Sequence, residues 1–182
     1  MGTIDTAASR ALEPALLAAS GRSPEIPEAD DVYGWLVGSW DLDVRYYWVD
    51  VAARRLKAEM HCSWVLEGRA VQDVWIMPAR PERRGPPLKD LDMYGTTLRV
   101  WDPALRAWQI TWINPVAGHH LHQVGRRVGQ DIVQVGAMPD GTPNRWMFTE
   151  ITPDSFHWTG EVLQADGKTW KLGGEFLARR VK

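Results

Sequence analysis

The sequence predicts a mainly β protein: an antiparallel up-and-down barrel of about ten strands, preceded by a short N-terminal helical arm. From residue 39 onward, apolar and polar residues alternate with a period of two, as they do along half-buried strands. Turn-like clusters of Gly, Pro and Asp, such as residues 139–141 and 165–167, separate these segments at hairpin spacing. No helical segment between them is long enough to connect parallel strands, so we expect antiparallel pairing.

Length and composition are those of an ordinary globular protein. The 182 residues suit one barrel domain at residues 31–182, after an arm and linker at residues 1–30. The net charge of −2 argues against a nucleic-acid partner or an anionic membrane surface, because both attract a basic excess. No apolar run reaches the ~20 residues of a membrane-spanning helix, and the N-terminus does not resemble a secretory signal. The sequence therefore predicts a cytoplasmic protein.

The N-terminal region has a different pattern from the barrel. Apolar residues between positions 4 and 19 recur at helical spacing, although Pro14 interrupts them. Residues 21–31 are rich in Pro and acidic side chains, as linkers are. A short helix is expected over residues 30–37, with Gly38 at its end. The arm either packs on the barrel or on a second subunit, or it is frayed.

The first predicted strand begins at Ser39, where Trp40, Leu42 and Val44 alternate with charged residues. Nine further strands are predicted over residues 56–66, 69–78, 93–102, 107–114, 119–127, 131–138, 144–151, 155–163 and 169–180. A sheet of this size must hide its edges, and closure into a barrel is the usual solution. A two-sheet sandwich is the alternative, but it usually requires long Greek-key connections. Ten strands leave an interior wider than side chains alone fill, which predicts a ligand cavity.

Residues 79–92 form the one long connection between predicted strands. They are rich in Pro and in charged side chains, which disfavour regular structure. The segment is therefore either a flap over one end of the barrel or a solvated loop.

Eleven tryptophans are spread along the whole chain. An indole has a large apolar surface and one N–H donor, which suits the wall of a cavity for a small hydrophobic or aromatic molecule. It also suits a subunit interface, and we expect a homodimer. Tyr46 is in phase with Trp40, which predicts an inward side chain. The predicted ligand-binding residues are Tyr46, Trp64, Trp75, Trp101, Trp112 and Asn114.

Several segments resemble a known family. The sequence Gly-Ser-Trp at 38–40, the segment at 64–69 and the run at 94–102, followed by Trp108 and Trp112, are similar to the lipocalin-like (calycin-type) barrels of the DUF1579 group. The resemblance covers roughly residues 33–180. It implies the barrel fold, and related calycin barrels include carriers, haem binders and enzymes. It supplies no catalytic set that transfers residue by residue.

Three histidines lie close together at residues 119–122. On a strand, His120 and His122 share one face, while His119 and Leu121 share the other. The pair is either an acid–base or substrate-binding element, or an exposed hairpin end. No cofactor is expected, with Zn or Fe at His120 and His122 as a minor alternative. A third ligand would then come from Glu150, His157, His61 or Asp73.

Three charged residues occur inside otherwise apolar strands. If Trp75 and Trp101 point inward, the period of two brings Asp73 and Arg99 inward as well, where they must pair or hold a polar ligand group. By the same argument Glu150 follows the aromatic residues of its own strand. A carboxyl group walled by indoles has a raised pKa and suits general acid–base catalysis. The alternative is that all three lie on the outer face.

The sequence lacks a phosphate-binding loop, a nucleophile elbow and a metalloprotease motif, which excludes several large enzyme classes. We expect an enzyme that performs cofactor-independent acid–base chemistry of the lyase, isomerase or cyclase type. Its predicted catalytic residues are Asp73, Arg99, His120, His122 and Glu150. A non-catalytic binder or carrier, or a His-ligated metal or haem protein, is the alternative. An enzyme predicts polar groups that converge in the cavity, whereas a carrier predicts an almost wholly apolar one.

Overall fold

Eleven antiparallel strands form one sheet that closes on itself. The computed structural model describes residues 17–85 and 91–182. The strands are β1 (Gly38–Tyr47), β2 (Val49–Asp50), β3 (Lys57–Val65), β4 (Ala70–Met77), β5 (Met93–Asp102), β6 (Ala107–Asn114), β7 (His119–Val128), β8 (Asp131–Ala137), β9 (Pro143–Thr149), β10 (Ser155–Leu163) and β11 (Trp170–Arg180). From β3 to β11 each strand pairs with the next, while β1 pairs with β2, β3 and β11.

The closed up-and-down barrel of ten long strands confirms the predicted fold. Each long strand begins and ends within two residues of its predicted limits. The pairing of β11 with β1 leaves no long strand with a free edge, which removes the usual site of edge-to-edge aggregation. The two-residue strand β2 was not predicted, because so short a segment carries no periodic signal.

The inner face of the barrel holds the apolar core. Residues directly opposite each other on antiparallel strands lie on the same face, so one inward residue fixes a whole row. Trp40 lies opposite Met60, and Met60 lies opposite Trp75. All three side chains are buried. The alternation visible in the sequence of β1 therefore continues around the barrel wall.

Residues 19–37 lie across one end of the barrel and close it. The Ala19 N–H donates to the Trp64 carbonyl over 2.7 Å, which anchors the segment where β3 ends. Tyr33 is fully buried and reaches into the barrel, where its ring packs against the core. The helix predicted over residues 4–19 lies outside the described residues except for its last three positions.

The short helix predicted over residues 30–37 is replaced by two 3-10 turns, Glu28–Asp30 and Gly34–Leu36. The Asp31 carboxylate accepts the N–H of Gly34 over 2.7 Å, and this local bond competes with a continuous helix. The other 3-10 turns in the described part of the chain are Ala52–Arg54, Leu66–Gly68 and Arg80–Glu82. Within residues 17–85 and 91–182, no helix has the length and apolar character needed to cross a membrane.

The opposite end of the barrel carries the long β4–β5 connection, which was predicted as a flap or a solvated loop. In its described part, Arg80 begins a 3-10 turn and makes a two-pronged contact with Glu59 on β3. Arg80 Nε donates to Glu59 Oε1 over 2.6 Å, and Nη2 donates to Oε2 over 3.2 Å. This pair ties the start of the connection to the barrel wall.

We expect Glu59→Gln to make the free energy of unfolding less dependent on pH in the acidic range. Hydrogen bonds from Arg80 lower the pKa of Glu59 from 4.5 to about 2. A depressed folded-state pKa stabilises the fold above the unfolded value, and this contribution is lost as the pH falls from about 4.5 through about 2. Because Arg80 is largely exposed, the contribution is at most about 1 kcal/mol. Urea unfolding across this window measures it.

The exposed Glu28 provides the control. The free energy of unfolding of Glu28→Gln should depend on acidic pH in the same way as that of the native protein. Superimposable profiles for the native protein and Glu59→Gln would contradict the assignment of this titration to Glu59.

Candidate ligand cavity

A cavity of about 90 Å³ occupies the end of the barrel opposite residues 19–37. One water needs only ~10–15 Å³ of cavity volume measured in the same way, so the space holds several waters or one small organic molecule. The lining comes from most of the strands and is dominated by aromatic side chains. Those that line it are Tyr47, Trp48, Trp75, Trp112, Trp146, Trp158 and Phe176, and the polar ones are Thr97, Arg99, His119, Asn144 and Glu161.

Four of the cavity indoles and a phenyl ring contact one another in a continuous band, which we call the aromatic band. Ring centroids are 6.0 Å apart for Trp112 and Trp146, and 5.5 Å apart for Trp146 and Trp158. Trp75 continues the band, at 5.6 Å from Trp158 and 5.4 Å from Phe176. Tilted and edge-to-face contacts at these distances are mutually favourable, so the rings hold each other in place. The band offers π surfaces to a flat guest.

Gly160 on β10 makes room for this arrangement. A Cβ atom at this position would lie 2.7 Å from a ring carbon of Trp158 and 3.2 Å from one of Trp146. Any side chain there would push the indoles into the cavity. The absence of a side chain at Gly160 therefore leaves space for the two neighbouring indoles.

A buried ion pair lies at the inner end of the cavity. Arg99 Nη1 donates to Asp73 Oδ2 over 2.5 Å, and both side chains are almost completely buried. The other oxygen, Asp73 Oδ1, accepts the Thr97 N–H over 3.0 Å. The guanidinium also faces the rings of Tyr33 at 5.0 Å and Phe148 at 5.8 Å. These contacts fix Arg99 in one orientation.

A chain of amides extends from the ion pair to the cavity wall. Arg99 Nε and the Tyr33 hydroxyl both donate to Gln134 Oε1, over 3.3 and 3.0 Å. Gln134 Nε2 donates to Gln123 Oε1 over 3.3 Å, and Gln123 Nε2 donates to Asn144 Oδ1 over 2.8 Å. We call Asp73, Arg99, Gln134, Gln123 and Asn144 the polar layer. It separates the cavity from the end closed by residues 19–37, and its members satisfy one another.

The pKa values of Arg99 and of two nearby groups, Tyr33 and Cys62, are all raised. Burial by itself would lower the pKa of Arg99, but the Asp73 carboxylate holds it above its ordinary value. Burial raises the pKa of the Tyr33 hydroxyl and that of the Cys62 thiol. At neutral pH the guanidinium is therefore charged, while the phenol and the thiol are neutral.

Two of the predicted catalytic residues face the barrel interior, and these are Asp73 and Arg99. They form an ion pair with each other, which was one of the arrangements expected if both side chains pointed inward. Only Arg99 lines the cavity. The carboxylate of Asp73 lies behind it, with both oxygens bonded to protein donors.

The predicted histidine pair lies on the outer wall. His120 and His122 share one face, as the period of two requires, and both are exposed with ring centroids 4.7 Å apart. The structure does not bring them to the cavity, where His119 and Leu121 lie instead. Among residues 17–85 and 91–182, no group of three or more His, Cys, Asp or Glu side chains is arranged to hold a metal ion.

Glu150 lies on the outside of the barrel, which is one of the two positions that the sequence left open for it. Strand β9 ends at Thr149, and Glu150 is exposed in the following turn with a φ of 51°. A left-handed backbone at this position interrupts the alternation, so Glu150 no longer follows the inward phase of β9.

The inward position expected for Tyr46 is wrong, because a β-bulge in β1 shifts the phase. Val44 lies opposite Phe176 and Tyr46 lies opposite Glu175. Strand β1 therefore advances by two residues where β11 advances by one. Tyr47 therefore points into the cavity, where its ring centroid is 6.4 Å from that of Phe176.

The other predicted ligand-binding residues divide between the cavity and its surroundings. Trp75 and Trp112 line the cavity. Trp64 and Trp101 both pack against Trp108, away from the cavity lining. Asn114 is buried outside the lining, and its Oδ1 accepts the N–H of Val116 over 3.2 Å.

The sequence interpretation missed His119, Asn144, Trp146 and Trp158 as cavity residues. A signal for His119 was present, because Trp112 on β6 lies opposite Leu121 on β7. Once Trp112 is inward, Leu121 is inward too, and His119 follows at two residues' distance. That register becomes known only when the two strands are paired.

The fold and the cavity define a class of protein: a closed, all-antiparallel β-barrel, consistent with the calycin-like fold, with an aromatic interior cavity. Comparison of the chain with protein-family models and with curated protein sequences gives no match.

Proposed function

We propose that the protein binds a small, flat, hydrophobic molecule in its barrel cavity. The aromatic band is the observation that carries this proposal, because several indoles around one cavity supply apolar area and π contacts to a planar guest. The likeness to the DUF1579 group at residues 38–40 and 94–102 belongs to the same proposal, and the calycin-like barrel supports it.

The commitment of the polar groups favours a binder over an acid–base enzyme. A general base needs a free acceptor within reach of the reacting proton. Both Asp73 oxygens accept protein hydrogen bonds, and the Asn144 and Gln134 oxygens do as well. His119 is the one imidazole among the described lining residues, and Glu161 is a lining carboxylate whose Oε2 accepts a hydrogen bond from Arg145. These two side chains are the candidates that an acid–base enzyme would use.

Titration with 2-acetylnaphthalene, a neutral two-ring ketone, tests the proposal by calorimetry or equilibrium dialysis. We expect saturable binding with one site per chain, and recovery of the ketone unchanged after prolonged incubation. Trp146→Ala should weaken binding roughly three- to tenfold, because it removes one ring of the aromatic band.

Trp170→Ala is the matched control. Trp170 does not line the cavity, and its ring lies beneath the Arg145 guanidinium, with the central carbon 4.2 Å from the ring centroid. We expect its removal to leave the affinity unchanged. Absence of saturable binding, or equal losses in the two variants, would refute a cavity site, and chemical conversion of the ketone would refute a passive binder.

A further inference from the structure

The hydrogen-bonding groups that the polar layer turns toward the cavity are donors. The Asn144 oxygen is occupied by Gln123, whereas the one partner of its Nδ2 among the described residues is the weak acceptor Met138 Sδ, at 3.3 Å. Arg99 uses Nη1 for Asp73 and Nε for Gln134, and a guanidinium has five N–H groups. Both Arg99 and Asn144 line the cavity. At the polar layer, a guest therefore meets N–H groups rather than oxygens.

The charge of this donor set is already balanced. The Asp73 carboxylate contacts the Arg99 guanidinium directly, and the faces of Tyr33 and Phe148 add negative potential on the same cation. A ligand carboxylate would be a second buried anion sharing one cation, which is strongly unfavourable.

The rest of the lining does not supply a compensating cation. Glu161 also borders the cavity, and its carboxylate accepts a hydrogen bond from Arg145 Nε over 2.5 Å. Among the described lining residues, Arg99 is the only one with a permanent positive charge. The electrostatics of the cavity therefore disfavour anionic guests despite the presence of an arginine.

We infer that the ligand is a neutral aromatic molecule carrying an uncharged hydrogen-bond acceptor, such as a ketone, ester or amide carbonyl, that docks on Arg99 and Asn144. This inference rests on the proposed function. The aromatic band takes the ring, and the polar layer orients the molecule through its carbonyl oxygen. Arg99 thereby selects for an acceptor rather than for a negative charge.

Three probes of matched size separate these requirements in the native protein: naphthalene, 2-acetylnaphthalene and 2-naphthoate. We expect the ketone to bind roughly two- to tenfold more tightly than the hydrocarbon, the gain of one net hydrogen bond. We expect the carboxylate to bind at least about tenfold more weakly than the ketone, because its charge is uncompensated. A carboxylate that binds as tightly as the ketone, or a ketone no better than the hydrocarbon, overturns the inference. Failure of all three probes overturns the proposed function instead.

Two variants assign these preferences to residues. Asn144→Ala should reduce the advantage of the ketone over the hydrocarbon, since it removes one donor. Asp73→Asn keeps the side-chain shape but leaves Arg99 uncompensated, so the preference should shift toward 2-naphthoate by about tenfold or more. An unchanged ratio of the affinities for the ketone and the carboxylate in a folded Asp73→Asn protein overturns the inference. If that variant does not fold, the probe comparison in the native protein still decides.

Discussion

Replacing Asp73 with alanine is expected to lower the free energy of unfolding by about 3–5 kcal/mol. The substitution leaves the Arg99 guanidinium buried without its counterion. Arginine stays protonated in proteins, so the buried charge persists. It also leaves the Thr97 N–H without the acceptor that Asp73 Oδ1 provides. Urea unfolding followed by tryptophan fluorescence and by far-UV circular dichroism measures the loss.

The double substitution Asp73→Leu with Arg99→Met is the control for this prediction. Replacing a whole buried pair with apolar side chains of similar size is often neutral or even stabilising. We therefore expect the double variant to recover most of the stability that Asp73→Ala loses. If the single and double variants are equally unstable, loss of packing rather than an unpaired charge is the cause.

The second large effect is expected at Tyr33, where alanine should cost about 3–5 kcal/mol of stability. The ring is fully buried, at 5.2 Å from the centroid of Trp108 and 6.4 Å from that of Phe148. It also covers the guanidinium of Arg99. Its removal opens a cavity between the barrel core and the segment that closes this end.

Tyr33→Phe is the matched control, since it keeps the ring and removes only the hydroxyl bond to Gln134. Its expected cost is about 1 kcal/mol. Because a Cβ on Gly125 would lie 2.3 Å from the Tyr33 oxygen, the site is shaped around that hydroxyl. A loss below about 1 kcal/mol for Tyr33→Ala would mean that residues 19–37 add little to barrel stability, contrary to the complete burial of Tyr33.

Together the two sites lie on the side of the polar layer that faces residues 19–37, away from the cavity. Tyr33 and the polar layer form a rigid base, and the aromatic band lies beyond it at the other end. Sites of this kind work best when their donors are fixed by a surrounding shell of hydrogen bonds. In the function proposed above, the same bonds that hold Arg99 in place also determine which ligand group it would accept.

The strands and their antiparallel order could be predicted because their signals are local. Alternation along β1 and the turn residues between later strands are properties of short segments, and hairpin-length links leave few alternative topologies. The 3-10 turns near Tyr33 could not be predicted in the same way. They depend on the Asp31 side chain and on insertion of the segment into a barrel that forms from distant strands.

The cavity residues were predictable only where the alternation is unbroken. Trp75 and Trp112 are in phase with their strands and line the cavity. Tyr46 was misplaced, and the facing of Glu150 was left open, because a bulge and a left-handed turn each shift the phase by a local backbone change without a sequence signature. His119 was overlooked because strand phase becomes absolute only through the register with a neighbour.

The sequence by itself determined a closed, antiparallel, tryptophan-rich barrel, because the period of two and the turn residues act within a few positions of one another. Only the tertiary structure decided which face lines the cavity, that Arg99 is neutralised by Asp73, and that His120 and His122 lie outside. These are properties of residues far apart in the chain, whose positions depend on the register of the closed sheet and not on any single strand.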